Sequence, residues 1–150
     1  MTKLFIGLFF SITTLSLFSQ TSVSEGDKII GVWLRGNGKS KIKITKYGDN
    51  KYGGKVIWLK EPNNAEGMPK IDHKNPDKTK QNNPILGLNT LLGFTYAGKK
   101  EYEGGSAYNP DDGKTYKCVM TLVDDTHLKI RGYVGIQLFG KSEDWIRSTE

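Results

Sequence analysis

Lys41-Ile42-Lys43-Ile44-Thr45 alternates charged or hydroxyl side chains with isoleucine without a break. A period of two is the strand period, because successive side chains on an extended chain point to opposite faces. Ile42 and Ile44 therefore face a core, and Lys41, Lys43 and Thr45 face water. One dry face and one wet face is the pattern of an antiparallel sheet.

The same reading extends outward in both directions. Upstream, Ile29 to Leu34 predicts a first strand. Downstream, Tyr47-Gly48-Asp49-Asn50-Lys51 predicts a turn, and Lys55-Val56-Ile57-Trp58-Leu59 a third strand, apolar on both faces. One face of it must then be covered, or must line something apolar. Strands follow over Leu86 to Tyr96, Glu103 to Tyr108, Thr115 to Val123, His127 to Val134 and Ser142 to Arg147. Gly104-Gly105 predicts a bulge or a close backbone approach. Asn109-Pro110-Asp111-Asp112-Gly113 reads as a hairpin turn with Gly113 at positive φ. Short strands spaced by turn residues, with no long amphipathic helix, give an all-β domain of about eight strands joined hairpin to hairpin. An up-and-down meander closed into a single antiparallel barrel is the simplest topology. It removes exposed sheet edges and can hold one small ligand.

Glu61 to Asn83 interrupts the strands with Pro62, Gly67, Pro69, Pro76 and many Asn. A loop of this length in a compact domain generally has a role. Asp77-Lys78-Thr79-Lys80-Gln81 is expected to make a short helical turn within it, and the loop to fold over the barrel mouth as a lid.

The N-terminus obeys different rules. Lys3 is followed by an apolar and hydroxyl run from Leu4 to Phe18, then by Ser19, Gln20, Thr21 and Ser22. This is the plan of a secretory signal, assigned to residues 1–22 with cleavage between Ser19 and Ser24. The run is shorter than the roughly 20 apolar residues that span a bilayer. The expected location is periplasmic or extracellular, with the barrel over residues 25–150 and no stable membrane insertion once the signal is removed. The single cysteine, Cys118, excludes an internal disulfide and lies in an alternating strand as a small buried side chain.

The formal net charge is +6, with lysines crowded over Lys39 to Lys46 and Lys70 to Lys80. On alternating strands this is a solvated basic surface before it is anything else. The other reading is an anionic partner such as a lipid head group or polysaccharide. Nucleic acid does not suit an exported protein.

No catalytic constellation is visible. Gly-x-Ser-x-Gly, His-Glu-x-x-His and a phosphate-binding glycine loop are all missing from the sequence. His73 beside Asp72, and an outward His127, fall short of the three or four ligands of a metal site. Asp111-Asp112 and Asp124-Asp125 sit at hairpin tips, where Asp serves turn geometry. No cofactor is expected.

Two aromatic-basic positions remain. Gly31-Val32-Trp33 opens the first strand and Trp145-Ile146-Arg147 closes the last. In a closed antiparallel barrel those strands are neighbours, so the Arg147 guanidinium is expected to lie on the Trp33 ring and donate to nearby carbonyls.

Gly31-x-Trp33 with a late Arg147 resembles the lipocalin and wider calycin signature, which implies an arginine packed over the tryptophan at the closed end. A longer ordered series resembles domain of unknown function 2147, a family of uncharacterised exported bacterial proteins. It runs through Ile30-Gly31-Val32-Trp33, Gly54-Lys55-Val56-Ile57-Trp58-Leu59, Asp72-His73-Lys74-Asn75-Pro76-Asp77, Tyr108 to Tyr116, Leu128 to Gly135, Leu138-Phe139-Gly140 and Trp145-Ile146-Arg147. The resemblance implies a lipocalin-like fold and supplies no substrate.

The reading that follows is non-catalytic binding of a small apolar or amphipathic ligand in the barrel, with Trp58, Tyr108, Tyr116, Arg131 and Tyr133 as lining. Three alternatives stand beside it: an enzyme acting on a small envelope molecule through the barrel's Tyr, Asp and Arg residues, a basic surface that binds an anionic envelope polymer, and a filled barrel acting in protein contacts.

Overall fold

A computed structural model describes residues 23–150. The signal read over residues 1–22 lies outside them. Eight strands follow one another in chain order: β1 (Gly31–Leu34), β2 (Ser40–Gly48), β3 (Lys51–Leu59), β4 (Asn89–Gly98), β5 (Glu101–Asn109), β6 (Lys114–Leu122), β7 (His127–Tyr133) and β8 (Lys141–Ser148). Each pairs with its neighbours in the chain, and β8 pairs back on β1, so the sheet is a closed up-and-down barrel. Short 3-10 turns are the helical elements described: Glu25–Ile29, Lys78–Lys80 and Gln137–Phe139.

The first strand starts later than its apolar residues suggest. Ser24 caps the turn Glu25–Ile29, its hydroxyl oxygen accepting from Asp27 N at 3.2 Å. That turn seals one end of the barrel. β4 also begins late, because Ile85 to Leu88 closes a backbone turn and Gly87 N donates to Val56 O before pairing with β5 starts. At Gly104-Gly105 the β5–β6 register shifts, as a bulge requires.

The interior is divided along the barrel axis. Ile42 and Ile44 are buried, as the alternation of β2 demands. Ile29, Trp33, Tyr52, Phe94, Tyr102, Met120, Leu122 and Leu128 fill the sealed half. Tyr102 donates to Gly26 O at 2.8 Å, and its ring meets Tyr52 edge-on with centroids 5.4 Å apart. The other half is open.

Three residues reinforce the β1–β8 pairing that closes the barrel. Trp33 and Arg147 are register partners across β1 and β8. The guanidinium lies 4.2 Å from the centre of the indole, within cation–π reach. Its nitrogens donate to Ile30 O at 3.0 Å, to Lys28 O at 2.7 Å and to Asp125 O. Trp33 Nε1 donates to Ile29 O at 2.9 Å, which ties the sealing turn to the seam. Gly31 sits at φ 144°, and a Cβ there would stand 2.5 Å from Arg147 Nη1. The glycine leaves the space that the arginine fills.

Asp27 ties the same turn to β2 and β3. Its carboxylate accepts from Tyr52 OH at 2.7 Å and pairs with Lys46 at 2.9 Å. Hydrogen bonds from Lys46, Tyr52 and Ser24 hold the Asp27 carboxyl at about 2.

We expect Arg147→Ala to lower stability by about 2 kcal/mol, the sum of a cation–π contact and charge-assisted hydrogen bonds to carbonyls. Arg147→Lys should recover little, because an ammonium cannot serve three carbonyls in a plane. Urea unfolding of both variants checks this. Acid should act on the sealing turn separately. With its folded pKa depressed, the Asp27 contribution is complete above the ordinary value of 3.8 and lost as pH falls toward about 2. Amide exchange at Ile29 should accelerate across that window, and Asp27→Asn should abolish the pH step.

Candidate functional site

The open half of the barrel holds a cavity of about 830 Å³. Its deep walls are apolar: Ile42 from β2, Val56 from β3, Leu91 from β4, Ile130 from β7 and Trp145 from β8. Cys118 joins them; burial pushes its thiol up to about 12, so it is a neutral wall residue. The volume and lining fall in the range of small-molecule sites, roughly 300–1,000 Å³ and mostly apolar.

Polar groups enter this wall at fixed places. Arg35 continues the inward parity of Trp33 and reaches Glu143 with Nη2–Oε2 at 3.0 Å. Its guanidinium lies 5.9 Å from the Trp145 ring centre. Arg35 Nε, Thr90 Oγ1 and Trp145 Nε1 are buried with no hydrogen-bond partner among the described residues. All three belong to residues that line the cavity. A buried donor left unpaired costs about 1–3 kcal/mol, so such atoms favour an oxygen-bearing guest that reaches them.

The mouth is framed by the long loop and the β5–β6 hairpin, which are fastened to each other. Asp72 is fully buried in the loop and accepts from Tyr108 OH and from Asn75 Nδ2, each at 2.7 Å. Lys74 Nζ donates to Asp111 O at 2.5 Å. Desolvation and the Asp72 carboxylate push the Tyr108 hydroxyl up to about 12, so it stays a proton donor at neutral pH. Tyr116 donates to Asp112 Oδ2 at 2.5 Å, and that contact raises its pKa as well. The turn Lys78–Lys80 is capped by Asp77, whose carboxylate accepts from Thr79 N at 3.0 Å. Lys60, Glu61, Lys70 and Ile85 of the loop line the cavity at its rim, so the loop edges the opening.

Of the five lining residues expected from sequence, Tyr108, Tyr116 and Tyr133 come together around the mouth. Trp58 and Arg131 do not. Register slips between Lys41 and Ile42, which pair with Trp58 and Val56 in turn, so Ile57 is an extra residue on β3. The bulge turns Trp58 to the outer face, where Lys41 Nζ lies 5.6 Å from its ring centre. Arg131 is outward because Leu128 and Ile130 of the same strand are buried. Its donors go to Gln137 O and Leu138 O, each at 2.9 Å, and to Ser142 Oγ at 3.0 Å.

Arg35, Thr90, Glu143 and Trp145 were not anticipated as cavity residues. For three of them a signal existed: once Trp33 and Arg147 face inward, Arg35, Glu143 and Trp145 share their parity. Thr90 had none, because the β3–β4 register shifts beside it. Among the described residues no three His, Cys, Asp or Glu side chains converge as metal ligands. His127 is engaged by Asp124, with Nδ1–Oδ2 at 2.9 Å.

The comparisons with known proteins agree with this architecture. Residues 31–147 match the family described as an uncharacterised protein conserved in bacteria, domain of unknown function 2147. A solved structure, protein HP1028 from the human pathogen Helicobacter pylori, described as belonging to the lipocalin family, superposes with a TM-score of 0.70 at 25% identity. The match covers 81% of this chain and 84% of that one. No curated protein sequence matches the chain.

Gly113 tests the fastening of loop to hairpin. It sits at φ 71°, and a Cβ there would run into Lys74 O of the loop. Gly113→Val should therefore destabilise the fold by about 2 kcal/mol or more, from left-handed strain and the lost approach of the loop. Thermal unfolding measures the loss. A neutral outcome would mean that the loop does not rest on the hairpin.

Proposed function

We propose that this chain, which belongs to the bacterial family of domain of unknown function 2147, is an exported, non-catalytic binding protein that takes one small amphipathic molecule into its barrel. The observation that carries the reading is the divided interior. Half of the barrel is packed solid, and the other half is a cavity of about 830 Å³ with apolar walls and a polar mouth. A barrel built only for structure or for protein contacts has no use for that division. The apolar part of the guest lies against Ile42, Val56, Leu91 and Ile130. Its polar end lies near Arg35, Tyr108 and Tyr116.

An enzymatic reading has less support. The Tyr108 and Tyr116 hydroxyls are engaged by carboxylates that hold them protonated, and Arg131 lies away from the cavity. Export is supported by the reading of residues 1–22. Among the described residues no helix is long and apolar enough to cross a membrane.

Dansylaminoundecanoic acid, a fluorescent fatty acid with one anionic end, tests the cavity. It should bind one to one. Ala107→Trp, which fills the cavity wall, should weaken binding about tenfold or more, equivalent to roughly 1.4 kcal/mol. Trp58→Ala should leave it unchanged. Failure of the probe to saturate, or equal binding by the filled variant, would place binding outside the barrel.

A further inference from the structure

The loop between β7 and β8 breaks the rule that large apolar side chains seek cover. Val134 is 76% exposed, Ile136 57%, Leu138 76% and Phe139 78%. Single exposed apolar residues are ordinary, but four within six positions make a contiguous patch that calls for a partner. The loop stands at the mouth, where Val134 and Phe139 edge the cavity.

This patch is held in place. Arg131 donates to Gln137 O and Leu138 O and anchors to Ser142 Oγ. Gly140 N donates to Gln137 O at 3.0 Å. The carbonyls of the 3-10 turn Gln137–Phe139 are thus served by an arginine on the outer face of β7, and the apolar side chains are left to solvent. Holding them there gives the fold nothing.

The charge beside the patch is positive. Lys141 follows the loop directly. Lys39 and Lys60 lie on the same side of the mouth, joined by Lys60 N donating to Lys39 O at 2.9 Å. None of the three has a carboxylate partner among the described residues, whereas Glu61 and Glu143 are answered by Lys70 and Arg35. Asp111 and Asp112 lie on the β5–β6 hairpin, on the other flank of the loop.

We propose that this rim docks peripherally on an anionic lipid surface, with Ile136, Leu138 and Phe139 entering the interface and Lys39, Lys60 and Lys141 meeting lipid phosphates. A short apolar protrusion beside unpaired lysines is the chemistry of such a surface, where apolar burial and headgroup attraction add. A protein partner would have to bring both an apolar socket and carboxylates fixed opposite three lysines, whereas a fluid anionic lipid surface meets both without a fixed fit. Docking of this kind needs no ligand in the cavity and stands apart from the fatty-acid probe experiment.

Vesicle co-sedimentation tests it with residues 23–150, which contain the whole closed barrel. Vesicles containing phosphatidylglycerol should bind the protein at least about tenfold more tightly than pure phosphatidylcholine vesicles, with the difference shrinking at high salt. Leu138→Asn with Phe139→Asn should weaken binding by about tenfold, and Lys39→Gln with Lys60→Gln and Lys141→Gln should erase the lipid preference. All these positions are exposed, so unchanged thermal unfolding should accompany both variants. Absent binding to either vesicle, or binding that neither variant changes, would overturn the assignment. So would a solution dimer that the asparagine variant dissolves while vesicle binding is nil, since the patch would then belong to a second copy of the chain.

Discussion

A meander of eight strands has two free edges until β8 meets β1, and each edge presents a row of unpaired N–H and C=O groups. Closing it requires one contact between the two ends of the domain. Arg147 makes that contact by lying on Trp33 while donating to carbonyls of the residues that seal the floor. The floor and the seam are one construction. Trp33 reaches back to Ile29, Asp27 reaches across to Tyr52, and Gly31 leaves the room in which the guanidinium sits. With one end closed so firmly by side chains, the other can remain open without loss of the fold.

The open end is organised by polar contacts. Asp72 and Lys74 draw the long loop down onto the β5–β6 hairpin through Tyr108 and the backbone of Asp111. A buried carboxylate is expensive unless its oxygens are satisfied, and here each accepts a hydrogen bond. The Asp72-to-Asp77 segment is therefore a fastening for the rim of the cavity. The β7–β8 loop is arranged in the same way, by Arg131, but with its apolar side turned outward.

Much of this was legible in the residues. Alternation in Lys41 to Thr45 gave the correct faces because β2 itself is unbroken there and the extra residue sits on β3. The closure of Trp33 on Arg147 followed from topology alone, since a meander that closes must bring its ends together. The cavity lining was read less well, for a local reason. Trp58 has the parity of Val56, and only the extra residue at Ile57 reverses it; a bulge in β3 is not written in the apolar pattern of Lys55 to Leu59. For Arg131 the signal is present in the strand itself, because it alternates with the apolar Leu128 and Ile130 and so faces outward when they are buried. The buried role of Asp72 could not be read, because its partner Tyr108 is thirty-six positions away and the loop has no period to guide it.

The topology also sets an order of events. Every strand pairing but one joins elements adjacent in the chain, across short turns except for the long loop between β3 and β4. The one pairing of distant elements is the seam, where Arg147 bonds to Ile30 across 117 positions of chain. Local contacts form early and distant ones late, because the entropy of bringing far ends together must be met before the contact repays it. The arginine on its tryptophan is then the last latch to engage during folding and the first to open during unfolding. Its strength is felt in how long the finished barrel survives, and hardly at all in how fast it is made.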